Sequence, residues 1–285
     1  MKKSLTLTFT QTILFIMAKQ QQPKKSGGKG ISAGLVIFLC FLLAIAIYTL
    51  VFGNKANFVG ENTANHPVNL LGTIHKGGYI VPLLLTMLLT VLVLSVERFI
   101  AIRKARGTGD LTKFVAGIKD RLEADDLAGA KELCAKQKGA VANVVNSALD
   151  KYKQMEATTE DLTKEQKVLS IQKTIEEATA LELPTMEQNL PVVAALTTLG
   201  TLIGLLGTVV GMIRSFQALA SEGGTDSIAL STGISEALVN TAFGIATGAL
   251  SVISYSYYTG KIDNITYAID EIGFSIVNVF AAKHK

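Results

Sequence analysis

The sequence predicts an all-α membrane protein with four transmembrane helices and a cytoplasmic helical domain. Three observations carry that prediction. Of 285 residues, 49% are hydrophobic and only 18% charged, where a soluble domain of ordinary composition has about 25% charged residues. Four stretches, 31–52, 79–102, 191–218 and 228–258, are long and apolar, and each meets the roughly 20-residue length that a helix needs to cross hydrocarbon. Between the second and third, residues 103–190 show helical periodicity with interleaved charges, and no alternating strand pattern competes with it.

The elements follow in order. Residues 1–30 form a Gln/Lys/Gly-rich leader. Lys2 and Lys3 precede an apolar run, but threonines interrupt it and no small-residue cleavage site comes before Lys19. Residues 1–16 therefore read as an extension or leader ahead of Met17 rather than a cleaved signal. Lys19, Lys24, Lys25 and Lys29 flank the first span, and Arg98, Arg103, Lys104 and Arg106 flank the end of the second. The intervening loop, 53–78, is poorer in cations, and the short link 219–227 carries only Glu222 and Asp226. Cationic flanks stay cytoplasmic, so both termini are expected inside and both short loops outside. Glu97 and Arg98 are expected to anchor the second span at the interface.

The region 103–190 reads as successive helices, broken at Gly107, Gly109 and Gly139, with Pro184 and Pro191 marking the approach to the third span. Its balanced charges exclude a nucleic-acid-binding patch. After the fourth span, Ile262, Ile265, Ile269, Ile272, Ile276 and Val279 recur at steps of three and four. That seam predicts an amphipathic cytoplasmic helix over 259–285, continuous with the span.

The third span, quoted from "TTLGTLIGLLGTVVG", carries one small and polar stripe: Thr197, Thr201, Gly204, Thr208, Gly211 and Ser215. Gly200/Gly204 and Gly207/Gly211 are small-xxx-small pairs, which let helix backbones approach closely in lipid. Threonine hydroxyls bond to their own preceding turn, so spacing alone favours helix packing over a polar lumen, although both remain open. The fourth span opens "GISEALVNTAFGIATG" and places Glu236 inside its apolar run, followed by Asn240, Thr241 and the pair Gly244/Gly248. An ionisable group in a span costs at least about 2.5 kcal/mol, which makes Glu236 a functional candidate, unless it reaches water at the outer interface. Arg214 lies near the outer end of the third span and is expected to snorkel.

No phosphate-binding loop, nucleophile elbow, zinc-protease motif or dinucleotide fingerprint is present. The two cysteines, Cys40 and Cys134, match no metal or redox spacing, and His66, His75 and His284 are dispersed. The chain is therefore expected to be no enzyme and to hold neither cofactor nor metal.

"GLLGTVVGMIRSF" (204–216) with "GISEALVNTAFGIATG" (233–248) resembles the paired motifs of the MotA/TolQ/ExbB proton-channel family, ExbB and TolQ above all. "ERFIAIRKAR" and the cytoplasmic "ADDLAGAKELCAKQKGAVANVVNSAL" are also similar. The resemblance covers roughly residues 80–260. It implies a homopentamer in the bacterial inner membrane whose last two spans line a pore around a dimeric, single-span ExbD-like partner. It further implies proton-driven work on a TonB-like protein. Carried onto this sequence, it implies pore hydroxyls at Thr208 and Thr241, with Thr197, Thr201 and Asn240 as further lining, and a structural or proton-path carboxylate at Glu236. Gly204, Gly207, Gly211, Gly244 and Gly248 would serve helix packing. Two departures stand out. Gly200-Thr201 replaces the Ala-Pro of many members, and the span at 31–52 is additional to the usual three.

Overall fold

The computed structural model describes residues 32–63, 65–158, 162–221 and 227–283, with the backbone alone at 221 and 227–229. The leader 1–30 and most of the 219–227 link, with Glu222 and Asp226, lie outside the described residues. Among the described residues the chain is helical, apart from one isolated antiparallel bridge between Phe58 and Pro67.

Helix α1 (Ala33–Ala46) runs without a break into a π-helical turn, Ile47–Phe52. Val36, Cys40 and Ala44 pack inward, beside Leu94, Val193 and Leu85. Phe38, Leu39, Leu42 and Leu43 stay exposed, as expected of a helix whose other faces meet lipid. The segment predicted as a plain loop is built up. Buried Asn57 donates through Nδ2 to the Val51 and Phe52 carbonyls at 2.7 and 3.1 Å. Asn69 donates to Asn57 Oδ1 at 2.9 Å and caps α2 (Leu70–His75), accepting from the Gly72 amide at 3.0 Å.

Helix α3 (Ile80–Arg106) ends at Gly107, whose φ of +87° turns the chain out of the helix. Four helices follow: α4 (Leu111–Glu123), α5 (Leu127–Gln137), α6 (Gly139–Ala157) and α7 (Lys164–Glu187). Asp110 and Asp126 accept from the first-turn amides of α4 and α5. Thr163 and Gln166 form a reciprocal capping box on α7. Pro184 does not end α7, which continues to Glu187. Arg98 caps that end: only 1% exposed, it donates to the Thr185 and Met186 carbonyls at 3.2 and 3.1 Å, satisfying groups that a helix terminus otherwise leaves bare. Its charge is matched by Glu97. Arg98 is thus a buried joint between α3 and α7, not the interfacial anchor expected from its position.

Helix α8 (Leu190–Ser221) and helix α9 (Ser227–Lys283) form a hairpin. At 57 residues α9 is one uninterrupted helix, about 85 Å long at 1.5 Å per residue. Its upper part packs on α8. Its lower part buries Ile262, Ile265, Ile269, Ile272 and Ile276 in a core with Ile118, Leu149, Tyr152 and Ile171. The four helices long and apolar enough to cross a membrane are those of the four predicted stretches.

Candidate functional site

The site is the hairpin. A Cβ added to Gly204 would lie 2.9 Å from the Gly244 Cα, and one on Gly244 would lie 2.7 Å from the Gly204 Cα. Any side chain at either position would push the helices apart, which is why two glycines face each other here. Gly207 opens against the Asn240 side chain, Gly211 against Ala237, Gly200 against Thr247 and Gly248 against Thr201. Ser215 closes the end nearest the interhelical link, its hydroxyl in reach of Gly211 O of its own helix at 3.1 Å and Leu230 O across the seam at 3.3 Å.

The stripe read from the sequence divides between two faces. With 100° per residue, Gly200, Gly204, Gly207 and Gly211 point into the seam, and Thr201 and Thr208 lie along one flank. Thr197 and Ser215, at one angle five turns apart, stand on the border between them, Ser215 buried and Thr197 half-buried. The opposite flank, carrying Ile203 and Val210 with Phe243 of α9, is covered by Ile80, Leu84, Met87 and Val91 of α3. On the flank that α3 leaves uncovered, the hydroxyls of Thr208 and Thr241 meet across the seam. Both also lie near backbone carbonyls: Thr208 reaches Gly204 O at 3.3 Å and Ala237 O at 3.5 Å, and Thr241 reaches Ala237 O at 3.2 Å. Each hydroxyl carries one proton and two lone pairs. The pair can therefore donate in either direction and still hand a hydrogen bond to a group arriving on that flank.

Thr201 is exposed and bonds back to Thr197 O at 3.3 Å. Asn240 sits differently. It is 0% exposed and donates to Gly77 O at 3.1 Å, at the turn between α2 and α3. Its place within this chain is the protomer interior, not the open flank with the threonines. Glu236 does not reach water through the outer interface, being 4% exposed. Arg214 Nη1 donates to both of its carboxylate oxygens, at 2.7 and 3.0 Å. The guanidinium also stacks over Tyr79, 5.1 Å from the ring centroid. Arg214 therefore bridges inward instead of snorkelling free. A signal for this pairing was present. Gly204/Gly244, Thr208/Thr241 and Arg214/Glu236 are all centred on positions 224–225 of the sequence, as antiparallel helices about a short link require.

The geometry defines a class: a polytopic all-α membrane protein organised on a glycine-packed hairpin with one hydroxyl-bearing flank. Residues 137–271 match the MotA/TolQ/ExbB proton channel family. An ExbB homolog from Methanothermobacter thermautotrophicus is 23% identical over 201 residues, 69% of this chain and 67% of that protein. The Tol-Pal system protein TolQ of Pseudomonas aeruginosa is 33% identical over 27% of this chain and 33% of its own length. The biopolymer transport protein ExbB of Helicobacter pylori is 32% identical over 27% of this chain and 54% of its own. The chain thus spans between a third and two thirds of the curated relatives it matches. Residues 137–271, a little under half of the chain, form a domain of the MotA/TolQ/ExbB proton channel family.

Proposed function

We propose that this chain is the proton-channel subunit of an inner-membrane motor of the ExbB type. In this reading both termini and the helical domain are cytoplasmic. Several copies, five by the family resemblance, gather their α8–α9 hairpins around the single span of an ExbD-like dimer. Proton flow through that assembly energises a TonB-like protein acting on outer-membrane transport. The observation that carries the reading is the Thr208–Thr241 pair on the flank α3 leaves open. A proton crossing hydrocarbon needs polar stations, and hydroxyls supply them without the cost of a fixed charge. A partner carboxylate meeting this pair would complete the path. Glu236, held by Arg214, serves in this reading as a structural carboxylate at the outer end.

The TolQ relative supports a second reading, a Tol-type role in envelope maintenance; a gliding or flagellar stator is a separate alternative that rests on the family resemblance alone. Deleting the gene in its native host separates the two. Loss of energised uptake with an intact outer membrane supports the import motor. Outer-membrane leakage with normal uptake supports the Tol-type role. A host unchanged in both would contradict either.

A further inference from the structure

Below the hairpin, where α9 leaves its apolar run, the aromatic ring of Tyr257 packs edge-on against Tyr258, and Lys261 follows one turn on. Tyrosines concentrate at the membrane–water boundary, so this level marks the headgroup layer. Helix α3 reaches its last turn with Arg103, Lys104 and Arg106. Between the end of α3, α4 and this part of α9 lies a cavity of about 540 Å³. Ile102, Val115 and Ile265 give it an apolar wall, and Arg106, Lys119 and Lys261 supply three cations. Its one acid, Glu271, is bound by Lys119 at 2.5 Å. Among the described residues neither Arg106 nor Lys261 forms an ion pair. Asp110, the acid beside Arg106, is already occupied by the Thr112 and Lys113 amides.

We infer that this cavity binds the headgroup of an anionic phospholipid from the adjoining leaflet, with Arg106 and Lys261 on the phosphodiester and the apolar wall against the first acyl carbons. Arg106 and Lys261 carry no ion pair among the described residues, Lys261 lying over the Tyr257 ring at 5.4 Å, and two such cations beside an apolar lining at headgroup depth fit a lipid phosphate. They fit a fully hydrated ion less well. Such a lipid would brace α4 and α9 where the long helix passes from the membrane into the helical core. The inference is independent of whether the protein conducts protons.

The test uses the full chain in nanodiscs of phosphatidylglycerol and phosphatidylcholine, with retained lipid counted by native mass spectrometry. Wild type is expected to retain phosphatidylglycerol over phosphatidylcholine. Arg106→Gln with Lys261→Gln should weaken that retention about 10- to 30-fold, since each surface cation contributes roughly a five-fold preference. Arg106→Lys with Lys261→Arg should restore it, which excludes misfolding as the cause. Removing two distant cations, with Lys164→Gln and Lys173→Gln, should leave it unchanged. Equal retention of the two lipids, or an unchanged Gln variant, would overturn the assignment. So would equal loss in the distant control, which would reduce the effect to general surface charge. Displacement by millimolar inorganic phosphate would make this a free-phosphate site and refute the lipid. Loss of oligomerisation in the Gln variant, with lipid retention unchanged, would show a second copy of the chain in the groove instead.

Discussion

Arg214 and Glu236, on opposite arms of the hairpin, form a two-pronged ion pair at 2.7 and 3.0 Å that also reaches the turn leading into α3. A Cβ on Gly78 would collide with the same carboxylate, so the hairpin, the turn and α3 converge on one charge pair. Removing one member strands the other. Glu236 is nearly buried while the Arg214 side chain is 43% exposed, so screening reduces the loss from the 3–5 kcal/mol of a fully buried pair. Arg214→Gln should lower stability by about 1–3 kcal/mol. The double change with Glu236→Gln should cost less than the sum of the singles. Thermal unfolding of the purified protein and its three variants measures the coupling.

The seam glycines make a contrasting pair. Gly204→Ala places a methyl 2.9 Å from the Gly244 backbone and should destabilise by about 1–3 kcal/mol. Gly260, in the same long helix as Gly244, has open space where a Cβ would stand. Gly260→Ala should therefore raise stability by about 0.5–1 kcal/mol through helix propensity. Opposite signs from the same substitution are the expected outcome in thermal unfolding.

Arg98 should prove the costliest charge in the chain to remove. Arg98→Gln leaves Glu97 without its cation and weakens the end of α7, with an expected loss of about 3–5 kcal/mol. Limited proteolysis should then open the 184–190 segment that the wild type protects.

Cys134 lies in the core of the helical domain, and burial pushes its thiol up to about 12. The thiolate is the reactive form, so the folded protein should resist maleimide at pH 7.5 at this residue and label only in denaturant. The raised value also sets a pH dependence. The unfolded thiol ionises near pH 8.5 and the folded one does not, so this contribution to stability is complete below about pH 8.5 and declines as pH rises toward 12. Peptide mass spectrometry after labelling reads the first effect, and unfolding at pH 7.5 and 10 reads the second.

Much of the fold was legible in the sequence because hydrophobic length and period survive in one dimension. The four apolar stretches, the Ile262–Ile276 seam and the small-residue stripe all depend on nearest-turn spacing. What escaped depended on partners far along the chain. Arg98 meets carbonyls 87 and 88 residues away, and no local pattern announces them. The same holds for Asn240 and Gly77, which are 163 residues apart. The stripe itself was seen as one face, yet packing splits it, with the glycines taking the seam and the threonines its edge. The Arg214–Glu236 pair was within reach once the hairpin was folded about its link, since its members stand at equal depth.

Proton flux tests the central claim most directly. The chain would be reconstituted in liposomes with an ExbD-type single-span partner from its own host, and acidification would follow an imposed potential. Flux should require both proteins, because neither α8 nor the membrane part of α9 carries an aspartate within its apolar run. Thr208→Ala with Thr241→Ala should reduce it at least about ten-fold, a lower bound set beneath the roughly 10²–10⁴-fold that a positioned proton-transfer group supplies, while Thr208→Ser with Thr241→Ser keeps it. Undiminished flux in the alanine pair would mean that these hydroxyls only pack the hairpin, and flux from this chain alone would mean that the partner is not part of the path.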